Sequence, residues 1–501
     1  MSDNITVGGA APTAGSGSEE RPVPHSVIPC KHLPAATYND LPEAPLWRKL
    51  IGPSILLLGL SLGSGEFVLW PYITYTFGFA VFWACMVGVT TQYFLNMEIE
   101  RWTLATGETA ITGFCRLWPH WAWIFLICNV VPWMWPGWAS GAATILIWEI
   151  GGGETERVIY SILSLIAIGG ALTLGPVVYN TVERLQKILI GFIFALMIVL
   201  FFLVVELTHI GEMLVGITNV GFIPDSMELP LLLGALAFAG AGGTMNLVQS
   251  NYVREKGYAM GRFAGRLTSP ITGREEVMAD IGYHFEHTAK NVSRWGAWWK
   301  AANREHAVSF YLLSVVSLMM LSLIAHATAG TLAGETESGF GFIRAEGESI
   351  GGQYGPLFQH AFHWMGIAIL LTTELGLLDA CARISTDIIK VNWLRDNGQW
   401  TDSRLYFALL WGQIGMGCLI MVAGIAMPGL TQPLVLLVLS AALNGGVMLI
   451  YSVLLLWMNS RVLGGELRTP VLRFLVLIWS CTFFGYFTVI TLDNQLPKLF
   501  G

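Results

Sequence analysis

Eleven stretches of about twenty or more mostly apolar residues recur along the chain, each long enough to cross a bilayer core roughly 30 Å thick as a helix. They run approximately 50–76, 79–101, 120–148, 158–179, 186–207, 229–253, 306–330, 357–389, 404–427, 433–458 and 471–492. Backbone polar groups in lipid have no water to bond, so segments of this kind satisfy themselves as helices. The predicted fold class is therefore all-α integral membrane, with about eleven transmembrane helices. Composition agrees: 54% of residues are hydrophobic and 12% charged, where soluble domains carry about 25% charged residues.

Charge distribution orients the spans. With the N-terminus inside, 24 of the 27 Lys and Arg fall in inner segments, and only Arg157, Arg344 and Lys498 in outer ones. A missed or invented span would move every later loop to the other side and scramble this asymmetry. The expected topology places the N-terminus in the cytoplasm and the C-terminus outside, in a multi-pass protein of a bacterial inner (plasma) membrane. Residues 1–46, rich in Pro, Gly, Ala and Ser with no apolar stretch like a signal peptide, are expected to form a disordered cytoplasmic tail. Residues 47–495 form the transmembrane domain, with a cytosolic loop at 254–305. That loop ends in the basic, aromatic run NVSRWGAWWKAANREH. It reads either as a surface helix that gates the inner mouth or grips anionic lipid, or as a solvated linker whose charges obey the inside-positive bias.

Several functions are excluded. The net charge of −7 is dispersed through loops and offers nothing to nucleic acid. The seven Cys show neither CxxC nor zinc-ligand spacing, and the ten His form no HExxH pattern, so no cofactor or fixed catalytic metal is indicated. No nucleotide-binding motif and no obligate protein partner can be read; the expected surroundings are the lipid bilayer and a small solute.

Two spans stand out. The first carries Gly59, Gly63 and Gly65 near its middle; the sixth carries Gly240, Gly242 and Gly243. Glycine costs a helix interior roughly 1 kcal/mol against alanine. Clusters at matching positions five spans apart predict two interrupted helices. That is the arrangement of transporters with inverted five-helix repeats, whose solute site lies at the breaks. The repeats would be about 47–210 and 227–460, with an extra helix at about 470–492. Close helix crossing through small residues is the alternative reading of the same glycines.

Charges at mid-depth point to the solute. Glu66 follows the glycines of span one, and Glu374 lies at similar depth in span eight. A carboxylate there costs about 2.5–3.5 kcal/mol to insert and demands a partner, a proton or a cation. Asp379 and Arg383 are spaced to pair with each other. Glu374 is nine residues from Arg383, roughly 13 Å along a helix. Burial and like charge both favour protonation until a cation arrives. The candidate substrate site is therefore Gly63, Ser64, Glu66, Gly240, Gly243, Thr244, Met245 and Asn246, with Glu66 the candidate metal ligand. Glu374, Asp379, Arg383 and Gln249 are candidates for proton coupling or for supporting the site. Against these stand plain roles: interhelical hydrogen bonds for Asn246, Gln249, Asn251 and Asn129, packing for Met245, and a protonated Glu374 bonded to Thr372 or Thr373.

The run GPSILLLGLSLGSGEF, followed by Phe77-Gly78-Phe79, Gln92 and ATGETAITGFCR, resembles the opening of the Nramp family of proton-coupled divalent-metal transporters. The resemblance implies a LeuT-type 5+5 inverted repeat with helices one and six broken. It also marks departures. Where that family has Asp-Pro-Gly-Asn, this chain has Gly63-Ser64-Gly65-Glu66; where it has Met-Pro-His, this chain has Gly243-Thr244-Met245 before Asn246. Soft thioether ligands favour softer transition metals, whereas a carboxylate with backbone oxygens suits a harder cation. The reading is a divergent Nramp-related secondary transporter, not an enzyme, moving a divalent cation such as Mg²⁺ rather than Mn²⁺ or Fe²⁺. Three alternatives remain: an organic-solute transporter, a sensor or scaffold that no longer transports, and a membrane-embedded enzyme using His360 and His363.

Overall fold

The computed structural model describes residues 21–329, 340–426 and 433–500, except 275, 277 and 280. Among the described residues, eight helices are long and apolar enough to cross a membrane: Pro53–Phe77, Glu154–Leu174, Val178–Val204, Ala289–Thr328, Pro356–Trp393, Asp402–Ile425, Leu436–Arg461 and Val471–Ile490. They correspond to predicted spans one, four, five and seven to eleven. The other three predicted spans are helical but differ in kind. Span two (Phe82–Thr106) carries Glu98, Glu100 and Arg101, all buried. Spans three and six are each in two pieces, Trp121–Val130 with Gly137–Ile150 and Leu229–Ala237 with Gly243–Lys256.

Burial separates an inner group from an outer one. Spans one and eight are 94% buried over their apolar windows, while spans four, five, nine and eleven expose most of theirs. Apolar side chains exposed on those outer helices, such as Phe192, Phe202, Leu419 and Trp479, suit contact with lipid. Span eight lies at the centre, packed against spans one, three, five and nine.

The face that carries the N-terminal segment corrects two expectations. Residues 21–46 are not a disordered tail: Val23, Ile28, Leu33, Ala36 and Leu41 are buried, and Thr37–Tyr38 pairs in parallel with Tyr283–His284. Arg116 holds this strap by donating to the carbonyls of Pro29 (2.8 Å) and Pro34 (2.9 Å) while paired with Glu108. Residues 1–20 lie outside the described residues. The segment 289–306 is neither a solvated linker nor a free surface helix. It continues into span seven as one helix, with Trp295 and Trp298 buried and the Trp298 indole donating to Pro42 O at 2.8 Å. Its apolar residues cover the strap, which composition alone could not reveal because the strap is short and rich in proline.

Arg116→Met should leave Glu108 buried without its partner and free two carbonyls, at a cost of about 3–5 kcal/mol. Limited proteolysis should then cut within 21–46, a segment resistant in the parent protein. The strap should also loosen in acid. His284 is buried beneath it, and burial pushes its imidazole below the ordinary 6.5, only partly offset by its hydrogen bond to Ala105 O. The unfolded strap binds the proton more readily, so stability is present above pH 6.5 and is lost as pH falls through and below that value. Cleavage within 21–46 should accelerate over that interval.

Candidate functional site

Span six is interrupted at mid-span. Its first half ends at Ala237, residues 238–242 are not helical, and the second half starts at Gly243. Gly242 (φ 76°) and Gly243 (φ 50°) turn the chain through the left-handed region, which side chains disfavour. A Cβ on Gly243 would also collide with the Asn444 side chain. Every residue from 231 to 250 is buried, so the freed backbone groups need partners within the protein. Gln92 of span two supplies them on both sides of the gap. Its Nε2 donates to Ala237 O (2.8 Å) and Leu236 O (3.3 Å), and its Oε1 accepts from Gly242 N (3.3 Å) and Asn246 Nδ2 (3.2 Å). Asn246 also donates to the Tyr451 hydroxyl at 2.8 Å.

Aromatic rings wall the gap. Trp133, in the interruption of span three, stacks on Phe238 with ring centres 5.5 Å apart and donates to Thr244 Oγ1 at 2.9 Å. Trp138 lies against both rings, and the Trp70 indole of span one donates to Ala235 O at 2.9 Å. Met245 is buried in the first turn of the second half-helix, its backbone N–H bonded to Gly242 O.

Span one corrects the expectation of an unwound segment. It is continuous from Pro53 to Phe77, with a π-helical stretch at Leu62–Leu69. The cause is an inserted side chain. The Thr373 hydroxyl of span eight accepts from Gly63 N (2.8 Å) and donates to Gly59 O (2.8 Å), the two groups an α-helix would join directly. Next to it, Gly65 abuts the break in span six: a Cβ there would lie 1.4 Å from Phe238 O. Ser64 bonds weakly back to Leu60 O.

Glu66 is likewise corrected. It does not face the break but lies between spans one and seven. Ser61 Oγ donates to its Oε1 at 2.6 Å, and Ser317 Oγ donates to its Oε2. Both oxygens are thus occupied by serines. Glu374 differs: it accepts from the Ala139 amide in the first turn of the second half of span three, while its Oε2 has no partner among the described residues. Neither Thr372 nor Thr373 reaches it by hydrogen bond.

The remaining candidates lie elsewhere. Asp379 accepts from Arg383 (2.7 Å), Tyr406 (2.7 Å) and Tyr252 (3.0 Å), and Arg383 also pairs with Glu255 of span six. Arg254 pairs with Asp387 at 2.8 Å, and Lys256 with Glu183 at 2.8 Å. These bridges fasten the second half of span six to spans eight and five. Gln249 contacts Glu100 rather than the break. Asn129 bonds Cys381 O and Ser385 across helices. His360 and His363 share Glu149, which ties the C-terminal end of span three to the start of span eight. Gln92, Trp133, Thr373 and Tyr451 escaped the site predicted from sequence, since each acts across a helix interface and carries no local signature.

No family model matches the chain, and no curated protein matches it. Among solved structures, a histidine-to-alanine mutant of the Eremococcus coleocola manganese transporter is similar, with TM-score 0.66 and 13% identity over 95% of this chain and 92% of that one. The same transporter in complex with an aromatic bis-isothiourea compound gives TM-score 0.67 and 12% identity, over 95% and 92%. The chain therefore has that transporter's fold, the LeuT-type architecture implied by the resemblance of span one. At this identity the likeness speaks for the fold alone.

Gly65→Ala should force spans one and six apart, an overpacking cost of about 1–3 kcal/mol. Thermal unfolding in detergent should register the loss, and Gly170→Ala, where nothing lies within 4 Å of a new Cβ, should not.

Proposed function

We propose that the chain is a secondary active transporter of the Nramp-related type, moving a small cation through the break in span six. The observation that carries this reading is the interruption at 238–242, where backbone groups bound to one glutamine side chain stand ready to exchange that partner for a solute. The fold supports it, because the Eremococcus coleocola manganese transporter shares this architecture.

Donor chemistry favours a hard cation. The groups around the break are neutral oxygens: peptide carbonyls, Thr244, Asn246, Gln92 and Tyr451. Oxygen ligands suit Mg²⁺, which dehydrates reluctantly and keeps several waters. Met245 supplies no thioether preference on its own. Of the two mid-depth carboxylates, Glu66 and Glu374, Glu374 is the one with an open oxygen among the described residues, so it takes over the charge-compensating role that sequence assigned to Glu66. Proton coupling is part of the same reading: a carboxyl that is neutral when empty and ionised when a cation is near exchanges one for the other.

A second reading has its own support. The stack of Trp133, Trp138 and Phe238 gives the break an aromatic wall, and such surfaces bind organic cations through their faces.

Uptake into proteoliposomes tests both. Glu374→Gln should weaken Mg²⁺-dependent flux tenfold or more, about 1.4 kcal/mol of binding or beyond. Glu66→Gln, whose serine partners can also bond an amide, should change flux less. Equal, unaltered flux in Glu374→Gln would remove the cation reading, and uptake of an organic cation lost in Trp133→Leu would establish the second.

A further inference from the structure

Below the break, four spans converge on a second cluster of ionisable groups. Glu100 comes from span two, Ser54 from the start of span one, Gln249 from the second half of span six, and Glu305 and His306 from the helix that becomes span seven. All five are fully buried. The Gln249 amide donates to Glu100 Oε1 at 2.6 Å and approaches Ser54 Oγ at 3.4 Å. Ser54 Oγ donates to Glu305 Oε2 at 2.5 Å and lies 2.8 Å from His306 Nδ1. The Gly52 amide reaches Glu305 Oε1 at 3.4 Å, and His306 Nδ1 is 3.7 Å from Glu100 Oε1.

Donors and acceptors do not balance. The Ser54 proton is committed to Glu305, so the contact with His306 requires Nδ1–H to donate to the serine oxygen. That tautomer leaves a lone pair on His306 Nε2, which has no partner, and Glu100 Oε2 has none either. Two carboxylates thus share one dry cluster, and among the described residues no Lys or Arg forms an ion pair with either. Burying such charges costs several kcal/mol each. A metal ion is a poor remedy: no group of three or more His, Cys, Asp or Glu among the described residues is arranged to hold one. Tyr93 and Phe310 both stack on the imidazole, with ring centres 5.6 and 4.9 Å away. A proton needs no cavity.

We propose that Glu100, Glu305 and His306, joined through Ser54 and Gln249, form a proton-binding site on the cytosolic side of the break. The charged and titratable groups facing it are Arg473 of span eleven, Lys256 of span six, Tyr93 of span two, Tyr258, and Tyr179 of span five, behind which lies Glu183. Among the described residues, neither basic member of that set forms an ion pair with Glu100 or Glu305. Ser54 and Gln249 belong to the two spans that border the break, so moving either span away opens the network and hydrates the acids. The open form then binds protons less well than the closed one. By linkage, raising pH favours opening toward the cytosol and lowering pH favours closure. The site extends the transporter reading, yet its protonation can be measured without any cargo.

Infrared spectra of the purified full-length protein in detergent, taken as a function of pH, provide the test. At neutral pH a protonated-carboxyl band is expected that loses intensity in Glu100→Gln or Glu305→Gln. In Ser54→Ala, which keeps both acids, its titration midpoint should shift. Hydrogen exchange at residues 52–60 and 244–256, corrected for intrinsic rates, should rise with pH in the parent and become pH-independent in the double glutamine variant. If both carboxyls prove ionised at neutral pH, or if Ser54→Ala titrates like the parent, the proposal fails. The transporter reading would be untouched by that result, since it rests on uptake into proteoliposomes.

Discussion

A single side chain amide bridges the gap in span six. A helix broken in the low-dielectric interior leaves peptide groups that must find other partners, and Gln92 meets carbonyls on one side of the gap and an amide on the other. Its position is set in turn by Asn246, which Tyr451 holds from span ten. The break is therefore a built feature in which three spans participate. A glutamine can release such bonds to a solute one at a time, whereas a continuous helix has none to release.

Span one solves a related problem differently. The Thr373 hydroxyl takes the place of one backbone bond and turns the helix locally to π geometry without opening it. This lets Gly65 press against the Phe238 carbonyl and swings Glu66 to the opposite side, among the serines of spans one and seven. The two carboxylates at mid-depth thereby acquire separate environments. Glu66 is fully bonded and sits between helices; Glu374 keeps one oxygen open beside the first turn of a half-helix, where the dipole favours negative charge.

The end of the bundle that carries the second half of span six is held by charge rather than by apolar packing alone. Arg383, Arg254 and Lys256 cross-link span six to its neighbours with acidic partners that are mostly buried. Buried pairs of this sort contribute little net stability but hold a specific arrangement. Over them lies the strap of 21–46, pinned by Arg116 and covered by the tryptophans of 289–306. These bridges and the cluster of Glu100, Glu305 and His306 share span six, so the same displacement would disturb both.

Hydrophobic length and the placement of Lys and Arg were enough, from sequence alone, to predict a helical membrane protein and the approximate bounds of its spans, because lipid leaves the backbone no other choice. The glycines at 240, 242 and 243 likewise marked a real interruption, since positive φ and the absence of space for a Cβ are properties a sequence can display. The same signal misled in span one. Gly63 and Gly65 serve close approach there, and only the position of Thr373, more than three hundred residues away, decides between an unwound segment and a π turn. Which way Glu66 points, which carboxylate keeps a free oxygen, and which groups meet Glu100 all depend on contacts between distant spans. Those are decided by tertiary packing, because a helical pattern specifies a face and not the neighbour it meets.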